Sequence, residues 1–120
     1  GGTKAGWSIA IPSEFSTTFD VRLDQVLDEP TVYLALTGNA GTLRLIWSPE
    51  DGAFALEDDH GQRVTAALLR RSGDMITFGI CQTPTTRRLF VASAQTGLTA
   101  SGAAPLAPLG AFTGAQLHPA

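Results

Sequence analysis

From Thr31 to Ser93 the chain alternates apolar and polar residues in short runs, each closed by a turn of Gly, Asn, Asp or Pro. In "TVYLALTGNAGTLRLIWSPEDGAFALEDDHGQRVTA", Val32, Leu34 and Leu36 fall on one side of a run, as do Leu43, Leu45 and Trp47, then Phe54 and Leu56. Turn residues gather at 38–41, 49–52 and 58–61. Successive side chains of a strand point to opposite faces, so a period of two with a turn roughly every 8–12 residues specifies antiparallel meanders that bury one face. The expectation is an all-β antiparallel sandwich with little or no helix.

Three zones follow from this pattern. The first, 1–30, holds a short apolar strand at Trp7, Ile9 and Ile11 and a clearer one with Phe15, Phe19, Val21 and Leu23 on one side and Thr18, Asp20 and Arg22 on the other. The second is the meander, continued by "DMITFGICQT" and "TRRLFVASA". "VTAALLRRSGD" contains good helix formers, but Val64 and Thr65 extend the meander and supply a hairpin partner for 54–57. From Gly97 onward "GLTASGAAPLAPLGAFTGAQLHPA" is small, proline-interrupted and nearly uncharged. Prolines suit an extended arm better than a central strand. The expected division is a sandwich over 1–100 and an arm over 101–120, anchored by Leu106, Leu109, Phe112 and Leu117 on the domain or on a partner.

Composition removes several functions. With 43% hydrophobic and 16% charged residues the chain is globular, and 120 residues suit one domain. A net charge of −3 with eight Lys and Arg gives no basic footprint for nucleic acid. No apolar run approaches the roughly 18 residues of a membrane span. Starting at "GGTKAG" without Met, the chain reads as a tag scar, a processed product or a piece of a longer polypeptide. Cys81 stands alone, which excludes an internal disulfide and leaves the redox compartment open.

The order "FSTTFDVRLD", "TVYLALTGNAGTLRLIWSPEDGAFALEDDHG", "DMITFGICQTPTTRRLFVASAQTG" resembles the laminin-G-like and concanavalin-like jelly rolls over about residues 15–97. That family usually closes with one more long strand. Either "GAFTGAQL" is a degenerate version of it or a neighbouring chain supplies the edge. The resemblance implies a lectin-like module of a cell-surface protein or of a bacteriophage tail or fibre, located extracellularly or in the virion. It also implies that some members bind calcium at loop ends and that others are glycosidases.

Glycosidases need two facing carboxyl groups, about 5 Å apart in retaining enzymes. The acidic runs here, Glu50-Asp51 and Glu57-Asp58-Asp59, abut glycine turns, where Asp serves by bonding backbone, and their spacing is not that of a calcium loop. His60 and His118, the only histidines, lie far apart, and no nucleophile elbow or phosphate loop occurs. The expectation is therefore no catalytic role and no cofactor, with calcium at the Asp clusters as the alternative.

Binding candidates remain. An exposed aromatic can stack on a sugar ring while polar neighbours take its hydroxyls. Tyr33 lies opposite Val32, Leu34 and Leu36 and is expected to be exposed, whereas Trp47 shares the face of Leu43 and Leu45 and reads as core. Arg44 shares the opposite face with Ile46, and Arg87 and Arg88 follow Pro84 as a solvated strand entry or as a grip for an acidic glycan or a partner's carboxylate. The candidate binding set is Tyr33, Arg44, Trp47, Asp51, Asp58, Asp59, Arg87 and Arg88. The function expected is recognition, foremost of carbohydrate, within a larger surface or virion protein. The alternatives are an assembly domain that forms homo-oligomers and a glycoside hydrolase fold whose active site is lost or unseen.

Overall fold

The computed structural model describes residues 5–11, 14–39, 41–105 and 112–117, with only the backbone of 5–11. The described residues form ten strands and no helix: β1 (Ala5–Ile11), β2 (Phe15–Arg22), β3 (Thr31–Gly38), β4 (Gly41–Ser48), β5 (Ala53–Asp58), β6 (Arg63–Ala66), β7 (Met75–Gln82), β8 (Thr86–Ser93), β9 (Thr99–Pro105) and β10 (Phe112–Leu117). A six-stranded sheet in the order β1-β10-β3-β4-β5-β6 faces a four-stranded sheet in the order β2-β7-β8-β9. Every neighbouring pair is antiparallel. The chain is an all-β antiparallel sandwich, as the alternation requires.

The meander forms because its turns have the right chemistry. Gly52 and Gly61 end the β4–β5 and β5–β6 turns at φ of 60° and 81°, a region that residues with a Cβ rarely enter. The inward residues then meet in one core: Leu43, Leu45 and Trp47 from β4, Phe54 and Leu56 from β5, Ile76, Phe78 and Ile80 from β7, Leu89 and Val91 from β8. Phe54 and Phe78 meet edge to face at 5.0 Å across the two sheets, and Tyr33 lies 5.7 Å from Phe78. Each large side chain so buried is worth roughly 1.5–3 kcal/mol. The run after Val64 continues the strand alternation, with Ala66, Leu68 and Arg70 buried and Leu69 outside, so it is extended and not helical.

Two readings of the sequence are redrawn. The boundary expected at residue 100 falls inside β9, and "GAFTGAQL" supplies β10, which sits between β1 and β3 with Phe112 1% exposed. The strand that closes the sheet there comes from this chain. Leu106, Leu109 and His118 lie outside the described residues. Along one side the sheets close on each other at β6 and β9, where Gly102 lies against the Thr65 carbonyl too tightly for any side chain.

Candidate functional site

Among the described residues, two buried arginines at opposite ends of the sandwich and one exposed groove stand out. At the end of the sandwich holding the β5–β6 turn, Asp58 is the last inward residue of β5 and Arg87 the first of β8. The Arg87 guanidinium donates to Asp58 Oδ2 at 3.0 Å and to Gln82 Oε1 at 3.0 Å. The other Asp58 oxygen accepts the backbone N–H groups of His60 and Gln62, at 2.8 and 3.0 Å. Burial pushes the Asp58 carboxyl up, but the Gln62 N–H, Arg87 and the His60 N–H together hold it below the ordinary carboxylate value. The pair is sealed, with Arg87 fully buried, and serves to join the sheets.

At the opposite end Arg70 lies under the β2–β3 connection. It donates to Tyr33 Oη at 3.1 Å and to the Leu27 carbonyl at 2.6 Å, and its guanidinium stacks 4.0 Å above the Trp47 ring.

The exposed arrangement is a groove of about 480 Å³ on the outer face of the four-stranded sheet. Strand register builds it from two adjacent rows. One row runs Thr18, Gly79, Phe90, Ser101 across β2, β7, β8 and β9, and the other runs Ser16, Cys81, Arg88, Ala103. Phe90 is 43% exposed although it sits mid-strand. Beside it Gly79 leaves the groove floor bare: a Cβ there would stand 3.4 Å from that of Phe90 and 3.7 Å from Thr18 Cγ2. The result is an open aromatic flank, a bare floor and a border of hydroxyls, with one arginine.

Of the candidate binding set, only Arg88 lines this groove. Tyr33 is a correction: it is 1% exposed, because a bulge between Val32 and Leu34 inserts it as an extra residue, so Tyr33 and Leu34 both face inward. Arg87 and Asp58 are corrected likewise, from solvated strand entry and turn residue to buried ion pair. Trp47 is buried and lines a second cleft with Asp28, Pro30 and Pro49. Asp59 accepts the Thr42 N–H at 2.8 Å and pairs with Arg44 at 3.2 Å, and Asp51 accepts from Ser48 and pairs with Arg63 at 2.7 Å. Among the described residues no group of three His, Cys, Asp or Glu could hold a metal ion. Phe90, Gly79, Ser16, Thr18 and Ser101 were missed. Their signal was present in the strand parity, since Phe90 stands opposite Leu89 and Val91 on a face otherwise small and polar.

No family model and no curated protein matches the chain. Solved structures do share its fold. The LG1-3 region of the laminin alpha2 chain matches with a TM-score of 0.73 at 12% identity over 95% of this chain and 24% of that one. The enzymatically active domain of bacteriophage CBA120 tailspike protein 2 matches at 0.62 and 14% identity over 95% and 20%. Scytalido-glutamic peptidase, solved with a peptide-based transition-state analog, matches at 0.60 and 14% over 96% and 62%. The chain thus spans less than two thirds of each of these three structures. At such identities the likeness defines a fold, a β-sandwich shared with a laminin LG domain and a tailspike domain. It also corrects the expectation of no catalytic role: peptidases are built on this sandwich, so neither the architecture nor a missing contiguous motif argues against chemistry. A site laid across a sheet draws single residues from distant strands and leaves no linear signature.

Proposed function

We propose that the chain is a recognition domain whose ligand is carbohydrate, bound in the groove on the outer face of the four-stranded sheet. One observation carries this reading: Phe90, exposed in mid-strand, flanks a floor kept bare by Gly79 and bordered by Ser16, Thr18 and Ser101. A pyranose offers C–H groups to an aromatic ring and hydroxyls to polar neighbours, which is the complement of this groove. The test is a glycan array probed with the wild-type chain, Phe90→Ala and Gly79→Ala. Phe90→Ala should weaken binding roughly tenfold, the scale of a lost aromatic contact. Gly79→Ala should obstruct the floor while leaving the fold intact, because the added methyl meets only ordinary contacts. Glycan binding that neither substitution changes would contradict the reading.

Assembly is the second reading, favoured by a separate observation. Leu27, Leu69, Met75 and Leu98 are 45%, 70%, 38% and 61% exposed, and strand direction brings the segments that carry them to the same end of the sandwich. In this reading that end packs on a second copy or a neighbouring domain of a larger surface or tail-fibre protein. Both functions suit a module of an extracellular or virion protein, the setting of the laminin and tailspike structures. Light scattering of Leu69→Ser/Leu98→Ser beside the wild type tests it, a drop in mass being the result expected.

A further inference from the structure

The groove holds one charge and nothing among the described residues neutralises it. Arg88 is exposed and lines the groove beside Ser16, Cys81 and Ala103. Arg22, Arg44, Arg63 and Arg87 each have a carboxylate partner, Arg70 has Tyr33 and Trp47, and Arg71 acts on the Asp74 carboxylate. All eleven Asp and Glu of the chain lie among the described residues, and none lines this groove. In a chain of net charge −3 the groove thus presents one unpaired cation, while Asp20, on the same outer face, lies outside the groove and accepts from Thr77.

Resting on the carbohydrate reading, we infer that the ligand is an acidic saccharide whose carboxylate is held by Arg88 while its ring lies against Phe90 over Gly79. Arg88 and Phe90 are two apart on β8 and project from the same face, so their side chains stand about 7 Å apart at their bases. From that base the long arginine side chain can reach back to a carboxylate on the sugar that lies against Phe90 or on the next one. A guanidinium matches a carboxylate with two parallel hydrogen bonds, which an ammonium cannot do. Ser16, Thr18 and Ser101 can donate or accept and so suit the remaining hydroxyls.

The experiment pairs each uronic-acid or sialylated glycan with its carboxyl-reduced or desialylated counterpart. Affinity is measured by calorimetry and occupancy by protection of Cys81, the single cysteine and a lining residue, from a thiol reagent. The wild type should prefer the acidic member about tenfold or more, with Cys81 protected. Arg88→Gln should erase the preference while keeping residual binding, and Arg88→Lys should restore part of it. Arg22→Gln removes the same charge from the same sheet outside the groove and should change nothing. Equal binding of both members, lost in Phe90→Ala but indifferent to Arg88→Gln, would overturn the acidic ligand and leave carbohydrate recognition standing. Cys81 unprotected by any glycan would overturn both.

Discussion

Asp58 and Arg87 form a salt bridge of 3.0 Å between the last residue of β5 and the second of β8, with side chains 1% and 0% exposed. It ties one sheet to the other at the end where the β5–β6 turn is built. Two charges removed from water are tolerated only because each is bonded again, Asp58 by two backbone N–H groups and Arg87 by Gln82. Removing one partner strands the other. Asp58→Ala and Arg87→Met should each cost about 3–5 kcal/mol, and the double variant should cost well under their sum. Asp59→Ala, which breaks a half-exposed pair, should cost far less than either single change. Urea melts of the four variants check this, and additive single costs would contradict it.

Acid should weaken the fold through the same residue. The Asp58 carboxyl is held below the ordinary 3.8 in the folded chain, so its contribution is complete above the unfolded value and is lost as pH falls through the folded one. Asp74 adds to this. Burial raises its carboxyl, but bonds from Ser93 and the Gln95 and Met75 N–H groups outweigh that and lower it. Melting temperature should therefore be flat from neutral pH to about 5 and fall steeply below about 4. Asp58→Asn should start lower and fall less.

Arg70 bridges the β2–β3 connection to the core through Leu27, Tyr33 and Trp47. Arg70→Met should cost about 2 kcal/mol or more, and Tyr33→Phe, which removes one acceptor, about 1 kcal/mol. Thermal melts of the two variants order these effects. A larger loss for Tyr33→Phe would contradict the bridging role.

Deleting residues 106–120 should abolish cooperative folding. The cut removes β10 from between two strands and takes Phe112 and Ala115 out of the core. Circular dichroism with heating should show no sharp transition, and a truncated chain that melts like the full one would contradict the place given to β10.

The alternation between 31 and 93 made the sandwich and most of its core legible, because a sheet with one buried face imprints its period on the sequence. Parity also carried more than apolar pattern alone suggests. Asp58 keeps step with Phe54 and Leu56, Arg87 with Leu89 and Val91, Arg70 with Leu68 and Ala66, so each charge was already written at an inward position. What hid them is that charge is ordinarily read as surface, and that their partners lie 29 and 37 residues away along the chain. Tyr33 was hidden differently, since one bulge reverses parity without any mark in composition. The groove was illegible because its residues come from four strands and adjoin only through register.

The most direct test of the recognition surface is amide chemical-shift mapping while a glycan selected from the array is titrated into the labelled chain. The shifts should concentrate on 16–18, 79–81, 88–90 and 101–103, the outer rows of β2, β7, β8 and β9. Gly79→Ala should abolish them at unchanged melting temperature. Shifts confined to the cleft around Trp47 and Pro49, with these rows silent, would contradict the account.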